Sequence, residues 1–428
     1  MLNMKKIGID SYFPIEMLYI LLFCNDAFAS LIGRMIGFGA INTVYAIAFF
    51  ILLLMSYVLN GRRYQDLAIP VFVYSIVAVL ILLTTIIHPE YHEWFSHPLY
   101  GVTSAFLNPR WGIWAFLVVW LFKDRKHLFH AMKISAWLLL VFYTLQFIAA
   151  KARGYWVSFD VDGALQHSLY NLEFGYNMLY PTAFMGAYGF LNSKKKYYIP
   201  YAMGLLTILF GGSRGAIIWP ILMFPAMLPF KWRNMNKKQR IRFGVINFLA
   251  LMCFFVIYMY YDVIFIGLKT LFRSSGLSSR TIDYFFSGTI TDASDRYIIA
   301  NLAIDLIKRG GLFGWGVYGD RYVIGNYYKW GYSHNLFLEL FVSFGYLGGF
   351  IASFLIIRGV IKLFKHTNEV TSQIIFITFL TTSMKLMLSN SFWYSAAFWS
   401  LIVLMMKWNR RKIKRTGFVS YEQGEPII

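Results

Sequence analysis

The sequence predicts an all-α, polytopic membrane protein, and its composition and hydropathy carry that prediction. Of the 428 residues, 58% are hydrophobic and 14% are charged, whereas a soluble protein has about 25% charged residues. Several apolar runs are 17 to 25 residues long, which is enough to cross a bilayer as helices. Lys5 and Lys6 precede the first run, but no small-residue cleavage site follows it. We therefore interpret this run as a retained span and not as a signal peptide.

About twelve spans account for the apolar runs. They cover residues 14–33, 38–59, 67–87, 103–122, 128–150, 176–192, 197–211, 215–230, 244–264, 333–357, 373–389 and 393–407. With the N-terminus in the cytoplasm, the inner segments hold 25 of the 40 basic residues. Because this bias follows the positive-inside rule, we predict that both termini are cytoplasmic.

The net charge of +20 is explained by this topology. Basic segments beside the inner leaflet also attract anionic membrane lipids. A nucleic-acid partner is therefore an unnecessary hypothesis.

The spans divide the chain into four regions. Residues 1–264 hold spans one to nine with short loops, and residues 265–332 form a long outer loop. Residues 333–407 hold spans ten to twelve, and residues 408–428 form a basic cytoplasmic tail. The outer loop is too long for a simple connection, which favours a structure of its own.

One segment of this loop, "SDRYIIANLAIDLIKRGG", predicts an amphipathic helix. Ser294 or Asp295 can cap its start, and two glycines end it at 310 and 311. We expect it to lie at the membrane surface or to pack on the spans. Arg296 stands near its start, where a solvated arginine is the simplest interpretation of that residue by itself. The expected apolar contacts are Ile298, Leu302, Ile304, Leu306 and Ile307.

A glycine-rich turn, "FGGSRGA" at 210–216, separates two short apolar segments. Irregular backbone at membrane depth is tolerated where it lines a cavity or is buried in protein. Arg214, between Ser213 and Gly215, would then be a guanidinium near headgroup depth. Free N–H groups at the start of the next helix favour an anion, so a lipid phosphate or pyrophosphate is expected there. An arginine that only reaches ordinary headgroups is the alternative.

The stretch "YSHNLFLELFVSFGYLGGF" opens the tenth span. Ser333 as N-cap would place His334 in the first helical turn, where the helix dipole disfavours a positive imidazole. We therefore expect His334 to be neutral near pH 7 and able to accept a proton, or else to cap a carbonyl. Asn335 can bond a substrate hydroxyl or hold a loop. Glu339, an ionisable group inside a span, is expected to face a cavity or a partner.

Three glycines follow at 345, 348 and 349. Their spacing places small residues on one helix face, which favours close packing of another helix.

The order and spacing of these motifs resemble the O-antigen ligase and O-antigen polymerase superfamily. The resemblance covers residues 200–350, whereas the N-terminal half is similar only in hydropathy. The matching pieces are Ser213-Arg214-Gly215, Arg296, Gly314-Trp315-Gly316, His334-Asn335, and Gly345 with Gly348.

The resemblance implies a membrane-embedded glycosyltransferase of the GT-C type that needs no metal or other cofactor. Its donor would be an oligosaccharide on undecaprenyl pyrophosphate. His334 would match the catalytic histidine, and Arg214 and Arg296 the two arginines that grip the pyrophosphate. A single displacement would invert the anomeric centre. The supporting residues would be Ser213, Gly215, Asn335 and Glu339.

The acceptor separates the two branches of the superfamily. A polymerase transfers to another lipid-linked glycan, and a ligase transfers to the lipid A core of lipopolysaccharide. We favour a polymerase of O-antigen, capsule or exopolysaccharide, because the N-terminal half is weakly patterned, as in the family's divergent polymerases. A ligase is the alternative. The expected location is the bacterial cytoplasmic (inner) membrane with the active site on the outer face, where a chain-length regulator and a flippase are possible partners.

A secondary transporter or lipid-linked glycan flippase is the alternative from another class. The long outer loop with its motifs argues against it, and no inverted repeat is visible in the sequence.

Overall fold

The computed structural model describes residues 12–36, 41–59, 64–97, 101–159, 165–168, 171–211, 213–233, 235–260, 294–327 and 331–416, with positions 263, 266, 267 and 270. The first ten helices are α1 (Phe13–Phe23), α2 (Asn25–Ile36), α3 (Ile41–Leu59), α4 (Tyr64–Ile87), α5 (His92–Ser96), α6 (Val102–Leu107), α7 (Trp114–Leu121), α8 (Arg125–Arg153), α9 (Leu172–Asn177) and α10 (Leu179–Leu191). The later ones are α11 (Tyr198–Gly211), α12 (Arg214–Arg233), α13 (Lys237–Met259), α14 (Ser294–Gly310), α15 (Gly319–Ile324), α16 (Leu336–His366), α17 (Val370–Ser383) and α18 (Ala396–Thr416).

The chain is an all-α polytopic membrane protein with one small addition that the sequence prediction lacked. Strands β1 (Trp156–Phe159) and β2 (Leu165–Ser168) form an antiparallel hairpin between the predicted spans at 128–150 and 176–192. Trp156 pairs with Ser168, and Phe159 with Leu165.

Six described helices are long and apolar enough to cross a membrane. They coincide with the predicted spans at 38–59, 67–87, 128–150, 215–230, 333–357 and 373–389. A seventh candidate is the pair α1 and α2, which covers the predicted span 14–33 and bends by 77°. The other predicted spans fall on shorter helices, on the short apolar part of α18, or on α13. The count of twelve spans therefore stays a prediction.

Burial separates the inner helices from those that face lipid. Nearly every residue of α10 is buried, and the span that contains α17 is 67% buried. A helix that is apolar on all sides needs such surroundings. In contrast, α4 exposes large apolar side chains such as Leu82, Ile86 and Ile87, which suits contact with lipid.

Polar contacts join connections that the predicted topology assigns to the inner face. Arg125 donates to Ser372 Oγ at 2.6 Å, and Lys407 donates to the Phe122 carbonyl at 2.7 Å. Arg233 donates to the Lys365 carbonyl at 3.0 Å. These segments therefore lie at one end of the bundle.

The opposite end carries the loop helix α14. It runs from Ser294 to Gly310, the bounds that the sequence predicts, and it packs on α16. Its buried residues are Ile299, Ala303 and Leu306. Ile298 and Ile304 are exposed, so these two do not belong to the face that packs on protein. The buried residues are spaced i, i+4, i+7 from Ile299. Composition alone did not show which side of the helix would be buried.

The glycine-rich segment after α14 docks on a break in α16. Gly345 has φ +65° and ψ −168°, which interrupts the helix. The N–H groups of Trp315 and Gly316 donate to the freed carbonyls of Val342 and Ser343, each at 2.9 Å. Those of Tyr346 and Leu347 donate to Gly311 and Leu312 at 3.0 and 3.2 Å.

At Gly345 the close neighbour is a loop and not a helix, so the prediction of close helix packing was wrong at this position. A Cβ on Gly345 would lie 2.4 Å from the Gly314 nitrogen, so the small residue admits a loop backbone. Added Cβ atoms on Gly348 and Gly349 would meet Phe344 and Phe341 of the same helix.

Candidate active site

His334 lies immediately before α16 and not in its first turn. The N-cap is Asn335, whose Oδ1 accepts from the N–H groups of Phe337 and Leu338 at 3.0 and 3.2 Å. The prediction of Ser333 as N-cap was wrong. His334 itself has φ +52°, a left-handed conformation that costs a residue other than glycine about 1–2 kcal/mol. The surrounding contacts must hold it there.

The His334 imidazole is in an environment that keeps it neutral. Its buried Nδ1 has no hydrogen-bond partner among the described residues. Burial first, and then the Arg296 charge, lower the pKa of His334 from 6.5 to about 4. Arg321 acts in the same direction, whereas Asp320 opposes it. The structure thus agrees with a neutral histidine, but the cause is burial and guanidinium charge, not a place within the helix.

Arg296 is brought close to His334 from 38 positions earlier in the sequence. It lies near the start of α14, is exposed, and its charge acts on both the His334 imidazole and the Tyr176 phenol. The structure therefore groups one predicted arginine with the predicted base.

The residues on either side of Arg214 lie close to Tyr176, the residue on which the Arg296 charge also acts. Helix α12 begins at Arg214, whose side chain lies outside the described part, as does Gly212. A Cβ added to Gly215 would lie 2.5 Å from Tyr176 Oη and 3.2 Å from Leu388 Cδ1. Ser213 is buried, and its Cβ would lie 2.3 Å from a Cβ added to Gly175.

Two further segments, which the sequence analysis did not predict, contribute residues beside the starts of α12, α14 and α16. Helix α9 supplies Tyr176, which lies beside Gly215 and interacts with Arg296. The segment after α17 supplies Leu388 beside Gly215, and the Met387 carbonyl, which accepts from Asn335 Nδ2 at 3.3 Å. Asn335 therefore holds a loop, the second of its two expected roles.

Tyr332 packs against the imidazole, with 4.1 Å between the ring centroids of Tyr332 and His334. Its hydroxyl accepts from the Asn390 N–H at 3.2 Å. Tyr332 is not singled out in the sequence analysis.

Glu339 does not lie free beside His334. It is 1% exposed and forms an ion pair with Arg321 at 2.8 Å. Its Oε1 also accepts from Ser391 Oγ at 2.5 Å, and its Oε2 from the Phe392 N–H at 3.3 Å. The carboxylate thus faces protein partners.

The starts of α12, α14 and α16 all lie within one segment that matches a family model. Residues 199–353 match the family model described as O-antigen ligase. The match confirms the resemblance to the O-antigen ligase and polymerase superfamily over this segment, which contains Arg214, Arg296 and His334. No curated protein and no solved structure matches the chain. Over residues 199–353 the chain is therefore similar to membrane enzymes of the O-antigen ligase and polymerase type.

Proposed function

We propose that the protein polymerises glycan repeat units carried on undecaprenyl pyrophosphate, with His334 as general base. The observation that carries the catalytic part of this proposal is the pairing of the neutral His334 imidazole, just before α16, with the Arg296 guanidinium from α14. The imidazole has a buried Nδ1 without a described partner, and the Arg296 charge acts on it directly. A base together with a guanidinium whose charge reaches it suits transfer from a pyrophosphate.

The reaction follows from these two groups. The hydroxyl oxygen of the acceptor sugar bonds to the anomeric carbon of the donor, and its proton passes to His334. The bond from that carbon to the pyrophosphate oxygen breaks, and the oxygen keeps the electron pair. Arg296 and Arg214 stabilise the leaving anion as charge develops on it. Guanidiniums suit this role because they bind phosphate oxygens in a bidentate way. Attack from the opposite face inverts the anomeric centre, and no metal takes part.

Donor binding would also strengthen the base. A histidine whose pKa is about 4 is a weak proton acceptor, since the best general bases have a pKa near the working pH. A pyrophosphate held by Arg296 offsets the charge that lowers the pKa of His334. The imidazole thus becomes more basic only when the donor is present.

A ligase is the second candidate, and the similarity of residues 199–353 to the O-antigen ligase family favours it. Both reactions use the same donor and differ in the acceptor. The site geometry described above is common to both.

The deciding experiment supplies the purified protein with lipid-linked oligosaccharide extracted from its host, in vesicles with and without lipid A core. A ladder of lengthening products without lipid A core supports the polymerase. A product that forms only with lipid A core supports the ligase, and no product under either condition contradicts both. His334→Ala should abolish product, whereas His366→Ala, an exposed histidine at the far end of α16, should not.

A further inference from the structure

Three charged side chains are buried behind His334. Arg321 Nη1 donates to Asp320 Oδ1 at 2.5 Å and to Glu339 Oε1 at 2.8 Å. Asp320 is 0% and Arg321 2% exposed. A buried ion pair adds little net stability compared with apolar packing, but breaking one is costly. Its presence here calls for a role other than stability.

Each carboxylate also holds a segment of backbone. Asp320 Oδ2 accepts from the Ser333 N–H at 3.0 Å and from Ser333 Oγ at 2.8 Å. Glu339 accepts from Ser391 Oγ and from the Phe392 N–H. Arg321, which bonds to both carboxylates, therefore links the residue before His334 to the segment between α17 and α18.

Both of these segments help to fix the position of the His334 imidazole. Ser333 is bonded to His334 through the chain, and the Asn390 N–H fixes the Tyr332 ring that packs on His334. The Arg321 guanidinium also lies over the Tyr318 ring at 4.0 Å and over Tyr332 at 6.0 Å. The ion-pair network thus constrains the backbone and one ring face of His334.

The backbone of His334 needs such a constraint. A left-handed histidine persists only where surrounding structure fixes it, and such strain gathers at active sites. Asn335 fixes the following side through its helix cap and its bond to Met387. Asp320 fixes the preceding side through two hydrogen bonds to Ser333.

We propose that Asp320, Arg321 and Glu339 are positioning residues that hold His334 in its left-handed conformation, with the imidazole aimed at the acceptor hydroxyl. This inference rests on the proposed function, because it assigns a purpose to the network through the base. It also assigns Glu339 to positioning and not to proton abstraction, since both of its oxygens already accept hydrogen bonds.

Three variants separate positioning from general support of the fold. Asp320→Asn keeps the side-chain shape and removes the charge. Ser333→Ala removes only the hydroxyl that Asp320 holds and leaves both ion pairs intact. Asp305→Asn makes the same chemical change at an exposed position of α14 and is the matched control.

Two readouts are needed, turnover and the state of the imidazole. We would measure kcat and the donor KM of folded protein in vesicles. The His334 imidazole signal would be recorded by NMR on ¹⁵N-histidine-labelled protein and assigned by its loss in His334→Ala. Among the described residues, the groups whose charges act on this imidazole are Arg296 from α14 and Asp320 and Arg321 from α15. The Tyr332 ring, two residues before His334, packs on its face.

We expect Asp320→Asn to lower kcat about 10- to 100-fold, as for a misplaced catalytic group, with little change in the donor KM. The imidazole should titrate at lower pH than in the wild type, because the Asp320 charge raises the pKa of His334. Ser333→Ala should lower kcat less, and the double variant should lose less than the sum of both effects. Asp305→Asn should match the wild type.

Several results would overturn the inference. One is a fall in kcat with an unchanged imidazole signal, and another is a moved signal with full turnover. If Asp320→Asn does not fold, Ser333→Ala decides, and wild-type turnover and signal in that variant are evidence against positioning. Near wild-type turnover of His334→Ala would contradict the proposed base itself, and this control distinguishes the two failures.

Discussion

The pH dependence of the reaction gives the sharpest test of His334. The pKa of its imidazole falls from 6.5 to about 4 because of burial and the Arg296 charge. Relative to a free imidazole, the site therefore disfavours the protonated form by roughly 3 kcal/mol. The sign follows directly, because a general base must be neutral to accept a proton. Activity is therefore retained above the pKa and is lost as the pH falls through it.

The lowered pKa of His334 can be detected through the pH dependence of kcat/KM at mildly acidic pH. At pH 5.5, an imidazole with a pKa of about 4 is about 97% neutral, whereas one at 6.5 is only about 9% neutral. Between pH 7.5 and 5.5 we therefore expect kcat/KM for the donor to change little. An ordinary histidine would lose about tenfold over the same range. The acid limb of kcat should lie at higher pH than that of kcat/KM, because bound pyrophosphate raises the pKa of the imidazole.

Removing the neighbouring charge should move the limb upward. Arg296→Gln removes the second-largest cause of the low pKa of His334, so the acid limb of its residual kcat/KM should shift towards 6.5. Arg309→Gln changes an exposed arginine at the other end of α14 and should leave the limb in place.

The assay is initial-rate transfer at limiting donor in buffers of constant ionic strength, from pH 3.5 to 8. His334→Ala should lose about 10²- to 10⁴-fold in rate, and its residual rate should lack the acid limb. A wild-type limb near 6.5, or the same limb in the wild type and His334→Ala, would refute the assignment.

The remaining predictions concern the turn at Arg214, the helix break and the topology. Arg214→Lys keeps the charge but loses the bidentate fork, so turnover should fall about 10²-fold; unchanged turnover of inserted protein would remove Arg214 from the site. Gly345→Ala should cost about 1–3 kcal/mol, seen as a lower Tm in vesicles, because its φ is +65° and its Cβ would meet Gly314. Gly244→Ala has open space around its Cβ and should not lower Tm. In a cysteine-free background, Ser287→Cys should react with an impermeant thiol reagent from outside, and exposed Asn368→Cys should not; the reverse would overturn the topology.

Short-range features of the sequence determined the elements. Hydropathy indicated the long apolar helices, since spans must be apolar along their whole length. Local stop signals located α14 between Ser294 and Gly310. The motif order indicated the family segment at 199–353. The apolar helices, the bounds of α14 and the motifs each depend on residues close together in sequence, so the sequence alone indicates them.

Only the tertiary structure decided how the site is assembled. The break at Gly345 exists because backbone some 30 positions earlier bonds to the freed groups of α16. The left-handed His334 follows from Asp320 on one side and Met387 on the other. Glu339 sits in an ion pair because Arg321 folds back on it. These contacts join residues that are far apart in sequence, so no local sequence pattern indicates them. A strained backbone or a buried charge is stable only where distant segments supply its hydrogen-bond partners.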